Sequence, residues 1–373
     1  MAQRFTGATV FDGTHLHPGA ELRVEDGMVT APGGPGEVVA LAGGILAPGF
    51  VDLQVNGGGG RMVDGRVDAA TLGLICETHA RLGSTGILPT LITDTPEATA
   101  AVIGAGITAA RQQMPGFLGL HLEGPHLDPR RMGAHDPALI RPMAEADLAR
   151  LLDAAKHLPS LIVTLAPEAA SADQIGRLRA AGVVLSLGHT DCDFGSAQAG
   201  FGAGATCVTH LFNAMSQLGN RNPGLVGAAL THPVFAGLIA DGLHVAVDTI
   251  RVAVAAKPDR IFLISDAMAS AGTRLEEFTL GTRRILRRDG RLTLPDGTLA
   301  GADLTLPQAV EVMVTRVGIP VETALAMASA RPAACLGRGG SLGHLLPGRQ
   351  ADMLHLGPDW SLRGVWRAGV RVI

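Results

Sequence analysis

Eight short apolar runs recur between Gly49 and Ala267: GFVDLQV, TGILPTLIT, GFLGLHLEG, LIVTLAP, VVLSLGHT, TCVTHLFN, FAGLIADG and RIFLISDA. Helical patterns fill most of the gaps, among them DAATLGLICETHARLG, EADLARLLDAAKHL, ADQIGRLRAAG and VDTIRVAVAAK. A strand buried on both faces reads as a continuous apolar run, and parallel neighbours need long, usually helical, crossovers. The repeated strand–helix alternation therefore predicts an α/β protein built on a (β/α)8 TIM barrel. A doubly wound open sheet is the structural alternative, and the strand number favours the barrel.

The polar, chemically capable residues sit where these runs end. Gln54, Asn56, Glu123, His189, His210, Asp241 and Asp266 each follow or close an apolar run. The C-terminal ends of barrel strands form the active-site face, so residues far apart in sequence would meet at one mouth.

The two chain ends have a different texture. Residues 1–46 and the last stretch, RQADMLHLGPDWSLRGVWRAGVRVI, alternate β-formers with Gly, Asp and Pro, and could pair into one small β domain. Beyond Asp266, Asp289-Gly290 and Asp296-Gly297 give hairpin texture. Two helices follow, with Pro320 suited to a first helical turn and Gly337 to a stop.

Composition removes several function classes. With 47% apolar residues, whole-chain disorder is excluded. A net charge of −4 and the absence of Tyr give no basic face and few stacking platforms, so no nucleic-acid partner is expected. Apolar stretches break well before a membrane span, and the N-terminus lacks an apolar leader core, so a soluble, cytoplasmic protein is expected. The four cysteines show no CxxC pair and read as reduced thiols.

Glu123, His189 and His210, spaced by 66 and 21 residues, could form a His₂Glu metal site. Three protein ligands with an open fourth position are a common catalytic zinc arrangement. Spacing alone does not carry this; the position of each at a strand end does. Asp266 could move a proton between water and a leaving nitrogen, or simply cap a helix. Arg221 with His244 suits a phosphate, or else both are solvated loop residues. VNGGGG (55–60) lacks the spacing and Lys of a P-loop and reads as a flexible turn near the mouth. GRGGSLGH (337–344) is an equally weak phosphate-loop candidate.

LAPGFVDLQVNGGGG, GLHLEGPHLDPRRMGAHDP, LSLGHTDCDF, VTHLFNAMSQLGNRNPGLVGAAL, LIADGLHV and LISDAMASAG occur in this order, with PGRQADMLHL near the end. This set closely resembles the N-acetylglucosamine-6-phosphate deacetylase family of the amidohydrolase superfamily. The resemblance implies a TIM barrel (residues 47–339) with a small β-sandwich formed from both ends (1–46 and 340–373). It implies metal ligands at Glu123, His189 and His210, and a catalytic base and acid at Asp266, acting on metal-activated water. His135 would be a second catalytic donor and a substrate contact, with Ala134, Asn213 and Ala214. Arg221 and His244 would hold the phosphate, and such contacts can come from a neighbouring subunit, which implies a homodimer. Most superfamily members carry His-x-His where this chain has Gln54 and Asn56, which are counted here as substrate-side residues. Amides are poor zinc ligands, so one divalent ion per subunit is expected, zinc first, with iron(II), manganese or cobalt as alternatives. The partner is a small phosphosugar. Another amide hydrolase on the same fold, or a non-catalytic metal protein, are the competing readings.

Overall fold

A computed structural model describes residues 2–373. The middle of the chain forms an eight-stranded parallel sheet in sequential order. Its strands are β1 (Phe50–Val55), β2 (Ser84–Ile92), β3 (Leu120–Glu123), β4 (Leu161–Leu165), β5 (Val184–Leu187), β6 (Cys207–Val208), β7 (Phe235–Leu238) and β8 (Ile261–Leu263). Every residue of β1 and of β3 to β6 is buried, as expected for strands covered on both faces. The sheet closes on itself just past β8. A parallel bridge joins Val55 to Ala267, and Asp266 N–H donates to Gln54 O at 3.1 Å while Asn56 N–H donates to Ala267 O at 2.8 Å. The expected TIM barrel is therefore the observed fold.

The crossover helices begin where the sequence supplies caps. α1 (Ala69–Arg81) starts on Asp68, whose carboxylate accepts from Thr71 N–H; α2 (Pro96–Arg111) starts on Thr95 with Pro96 in its first turn. α3 (Glu145–Ala155), α4 (Ala172–Ala180), α5 (Phe194–Ala203), α6 (Gly224–Thr231) and α7 (Val247–Ala256) complete the ring. Ser171 and Gln174 form a reciprocal capping box on α4.

Both chain ends contribute to a β-sandwich. One sheet orders Met28–Thr30, Leu22–Glu25, Gln3–Thr6 and Glu37–Ala40; the other brings Met353–Leu356 against Ile45–Pro48, with Leu362–Arg367 and Thr9–Phe11 flanking. Phe5, Val24 and Val29 of the first meet Leu46, Met353 and Trp366 of the second in a separate core. The Phe5 and Trp366 rings meet edge to face at 5.3 Å.

The segment after β8 is larger than a hairpin. Strands β9 (Glu277–Leu280), β10 (Arg283–Arg288), β11 (Arg291–Thr293) and β12 (Leu299–Ala302) form an antiparallel meander. Asp289 and Gly290, both at positive φ, turn β10 into β11. The Leu280, Ile285 and Leu292 cluster packs with Met268 and Ala134, laying the meander over the barrel mouth. The helix expected over LTLPQAVEVMVTRVG is α from Leu306 to Val312 and then a π turn, Met313–Val317, ended by Gly318 at φ +85°.

VNGGGG is not a flexible turn. Gly57–Gly58 pair with Arg61–Met62, and Gly59 and Gly60 donate their N–H groups to Ala271 O and Ala269 O, both at 2.9 Å. A Cβ on Gly57 would lie 2.3 Å from Arg61 O. The glycines permit a tight turn pinned to the segment that follows Asp266, so the run reflects close backbone approach.

Candidate active site

Glu123 ends β3; His189, His210 and Asp266 lie two or three residues past β5, β6 and β8. All four are buried at the C-terminal mouth. His189, His210 and Asp266 hold φ of 49°, 29° and 50°. Left-handed backbone at a non-glycine residue costs on the order of 1–3 kcal/mol and persists where its surroundings enforce it. Here it turns each strand end sharply, so that the side chains face one another across the mouth.

The tautomers of the two imidazoles follow from their partners. His189 Nδ1 lies 2.8 Å from Arg131 O, and His210 Nδ1 lies 3.1 Å from Asn213 O. A carbonyl only accepts, so both Nδ1 atoms carry the proton and both Nε2 atoms present lone pairs. Those Nε2 atoms are 3.1 Å apart, and 3.1 and 3.0 Å from the same Glu123 oxygen. Lone pairs and a carboxylate at such separations repel unless a proton or a cation lies between them. The donor set, two neutral imidazoles and one carboxylate oriented by backbone carbonyls, fits a divalent metal ion.

Gln54 and Asn56 bind protein carboxylates. Gln54 Nε2 donates to both Glu123 oxygens at 3.1 Å and to Asp266 Oδ1 at 3.2 Å. Asn56 Nδ2 donates to Asp266 Oδ1 at 2.6 Å, and its buried Oδ1 has no partner. Both amides meet Asp266 on one oxygen, which leaves Oδ2 toward the cavity. Burial, then the Glu123 charge, raises the Asp266 carboxyl to about 6, so this group is poised to exchange a proton near neutrality. Asp266 caps no helix.

A cavity of about 250 Å³ opens over these groups, lined also by Asn56, Ala134, His135, Asn213, Ala214 and His244. Gln54 lies beneath it and does not line it. The His135 ring packs on His189 at 4.3 Å. Thr93 N–H donates to His135 Nδ1 at 3.3 Å, so that atom bears no proton and Nε2 carries one. Burial, then the neighbouring His189, pushes His135 well below the usual imidazole range; it is a neutral donor at neutral pH. His244 Nδ1 lies 2.6 Å from Asp241 Oδ2. That contact orients the ring with Nε2 toward the cavity it lines. Arg221 is exposed, outside the cavity, and without an ionic partner among the described residues.

Sequence reasoning missed the meander's contribution. Leu280, Thr298, Leu299 and Gly301 line the cavity, and Arg283 Nη1 donates to Ala134 O, tying β10 to the loop that carries His135. The hairpin turns were legible; the docking site was not, because an amphipathic sheet names no partner. It also did not anticipate the buried chain below the ligands, where His121 Nε2 meets Thr164 Oγ1 at 2.7 Å and Thr164 meets Thr209 at 2.6 Å. Burial pushes His121 down to about 4, so it is a neutral part of the barrel floor.

The model of the amidohydrolase family matches residues 45–372. N-acetylgalactosamine-6-phosphate deacetylase of Shewanella sp. (strain ANA-3) is 38% identical over 331 residues, 88% of this chain and 83% of the relative. N-acetylglucosamine-6-phosphate deacetylase of Haemophilus influenzae is 32% identical over 88% of this chain and 86% of its own length. Among solved structures, N-acetylglucosamine-6-phosphate deacetylase from Pasteurella multocida superposes with a TM-score of 0.96 at 31% identity, covering 100% of this chain and 99% of that one. A Mycobacterium smegmatis deacetylase mutant in complex with N-acetyl-D-glucosamine-6-phosphate gives 0.92 at 32%, with the same coverage.

Proposed function

The chain belongs to the amidohydrolase family, and we propose that it removes the acetyl group of N-acetylglucosamine 6-phosphate, giving glucosamine 6-phosphate and acetate, as an enzyme of amino-sugar metabolism. The observation that carries this reading is the meeting of two Nε2 lone pairs, one Glu123 oxygen and the proton-accepting Oδ2 of Asp266 under one cavity. Glu123, His189 and His210 would hold one divalent ion, zinc in the first instance. When bound, such an ion lowers the pKa of water and polarises a carbonyl.

Asp266 Oδ2 takes the proton of the attacking water, then returns it to the departing sugar nitrogen. Gln54 and Asn56 fix Asp266 Oδ1, so the proton moves at the other oxygen. His135 Nε2–H is the chain's own donor to the oxyanion that develops on the acetyl carbonyl. Asn213 and Ala214 border the sugar's space. His244 takes the phosphate, and binding energy there positions the amide.

Arg221, exposed and without an ionic partner among the described residues, suits a phosphate contact supplied across a homodimer. Four buried, free cysteines suit a reducing cytoplasm. Among the described residues no helix is long and apolar enough to cross a membrane. The domain division is proposed at 1–46 with 340–373, and 47–339.

A second substrate reading is the galacto epimer, on the ground of the 38% identical relative. Acetate release from the two epimeric 6-phosphates and from unphosphorylated N-acetylglucosamine, with counted metal, tests all of this. Release from the gluco 6-phosphate far faster than from the plain sugar is expected. Preference for the galacto epimer would move the substrate, and indifference to phosphate would refute the roles of His244 and Arg221.

A further inference from the structure

A second cavity, larger than the one at the mouth, lies at the opposite end of the barrel. It measures about 410 Å³ and is walled by the starts of β1 and β2 at Gly49 and Thr85, and by the 337–350 loop. This loop is the GRGGSLGH segment with its continuation, and nothing in the proposed reaction uses it. Arg338 and Arg349 both line the cavity. The Arg349 guanidinium lies beside Gly340, 3.9 Å from the point where a Cβ there would stand, so it runs along the loop.

Neither guanidinium meets an acceptor among the described residues. The nearby acid is Asp352, one of whose oxygens already accepts from Gln350 Nε2 at 2.9 Å and Ala368 N–H at 2.8 Å. Arg338 is about half-buried, and withdrawal from water lowers its proton affinity. Two arginines facing one cavity over a single carboxylate are an arrangement that stabilises an anion, since the planar fork matches phosphate oxygens. The remaining lining mixes apolar side chains, Met28, Val51, Met114 and Leu118 among them, with polar groups suited to hydroxyls. His344 Nδ1 faces Leu342 O at 3.1 Å, which leaves Nε2 as an acceptor, and Gln113 and Ser341 add further polar groups.

We infer that this cavity is a second ligand site, remote from the acetyl-removing centre, for the phosphate monoester of a small polyhydroxy compound, with Arg338 and Arg349 holding the phosphate. The inference does not depend on which amide the mouth hydrolyses.

Titration calorimetry on the metal-loaded full chain tests it, with inorganic phosphate and glycerol 3-phosphate as probes. The wild-type protein is expected to bind both, glycerol 3-phosphate more tightly. The Arg338→Ala/Arg349→Ala protein is expected to bind on the order of 100-fold more weakly, about tenfold for each charge-assisted contact removed. Its acetate release is expected to be unchanged, and its Tm without ligand equal or higher. Arg338→Lys, a milder change should the double variant fold poorly, is expected to weaken binding by a smaller factor. Equal phosphate affinity in wild type and variants would overturn the site. So would a lowered Tm with no change in phosphate binding, which would make the arginines mere caps of the preceding helix. Glycerol 3-phosphate no tighter than inorganic phosphate would overturn the polyhydroxy ligand.

Discussion

Replacing Asp52 with Asn is expected to stabilise the protein above neutral pH. Asp52 is completely buried in β1. Its carboxylate accepts from Ser265 N–H at 3.2 and 3.3 Å and from Gln54 N–H at 3.3 Å, across the line where the first and last strands meet. Burial raises this carboxyl to about 7 despite those donors. In the unfolded chain it titrates near 4. Between those values the folded state holds the extra proton, so stability is full below pH 4 and falls as pH rises toward 7. Each tenfold in proton affinity is about 1.4 kcal/mol, so ionising the buried group costs the fold about 4 kcal/mol by pH 8. Asparagine fits the same space and keeps an oxygen for the two backbone donors, but never ionises. Unfolding entropy for 373 residues is about 0.8 kcal/mol per kelvin, so the gain is about 3–5 °C in Tm at pH 8, shrinking to about 2 °C at pH 5 and vanishing below pH 4. Thermal scans of both proteins at matched metal loading, from pH 5 to pH 8, read this directly. Parallel pH profiles for wild type and Asp52→Asn would refute the reasoning, because they would mean that Asp52 does not change its proton occupancy on folding.

Asp266→Asn is expected to retain its metal, measured by elemental analysis, and to lose about 10²–10⁴-fold in kcat, the usual worth of a positioned base. Near-normal turnover would remove Asp266 from proton transfer. Arg283→Ala frees the loop carrying His135 and is expected to lower kcat/KM about tenfold, the worth of one charge-assisted hydrogen bond, with partial recovery in Arg283→Lys; steady-state kinetics on both variants decides it. Stripping metal with a chelator is expected to lower Tm by about 3 °C when free metal had stood at about 100 times its Kd, and the same treatment of His189→Ala should leave its Tm almost unmoved.

The barrel was legible because eight strands are apolar on both faces and the chemistry is confined to their ends, a pattern that a parallel sheet brings to one place and whose strand number favours closure. The helices after Asp68 and Ser171 were legible from their apolar periodicity, while the caps that start them came only with the structure. What stayed hidden depends on long-range contacts. Nothing local announces that His189, His210 and Asp266 are held at positive φ, or that Gln54 spends its amide on Glu123 and Asp266. Four successive glycines suggested looseness when their real use is close approach to Ala269 and Ala271. The meander over the mouth needs Arg283 and Ala134, 149 residues apart, to meet, and no periodicity encodes that.

The closure of the barrel between β1 and the segment after β8 sets an order of events during synthesis. Glu123, His189 and His210 emerge from the ribosome well before Asp266, whose Oδ1 is fixed by side chains of residues 54 and 56 and whose carbonyl is held by Ala302 N–H at 2.9 Å. A nascent chain ending before residue 266 carries all the ligands for a cation and no group to move a proton. A growing chain could therefore capture its metal early while remaining inert, and hydrolytic competence would arrive only when the last strand zips against the first.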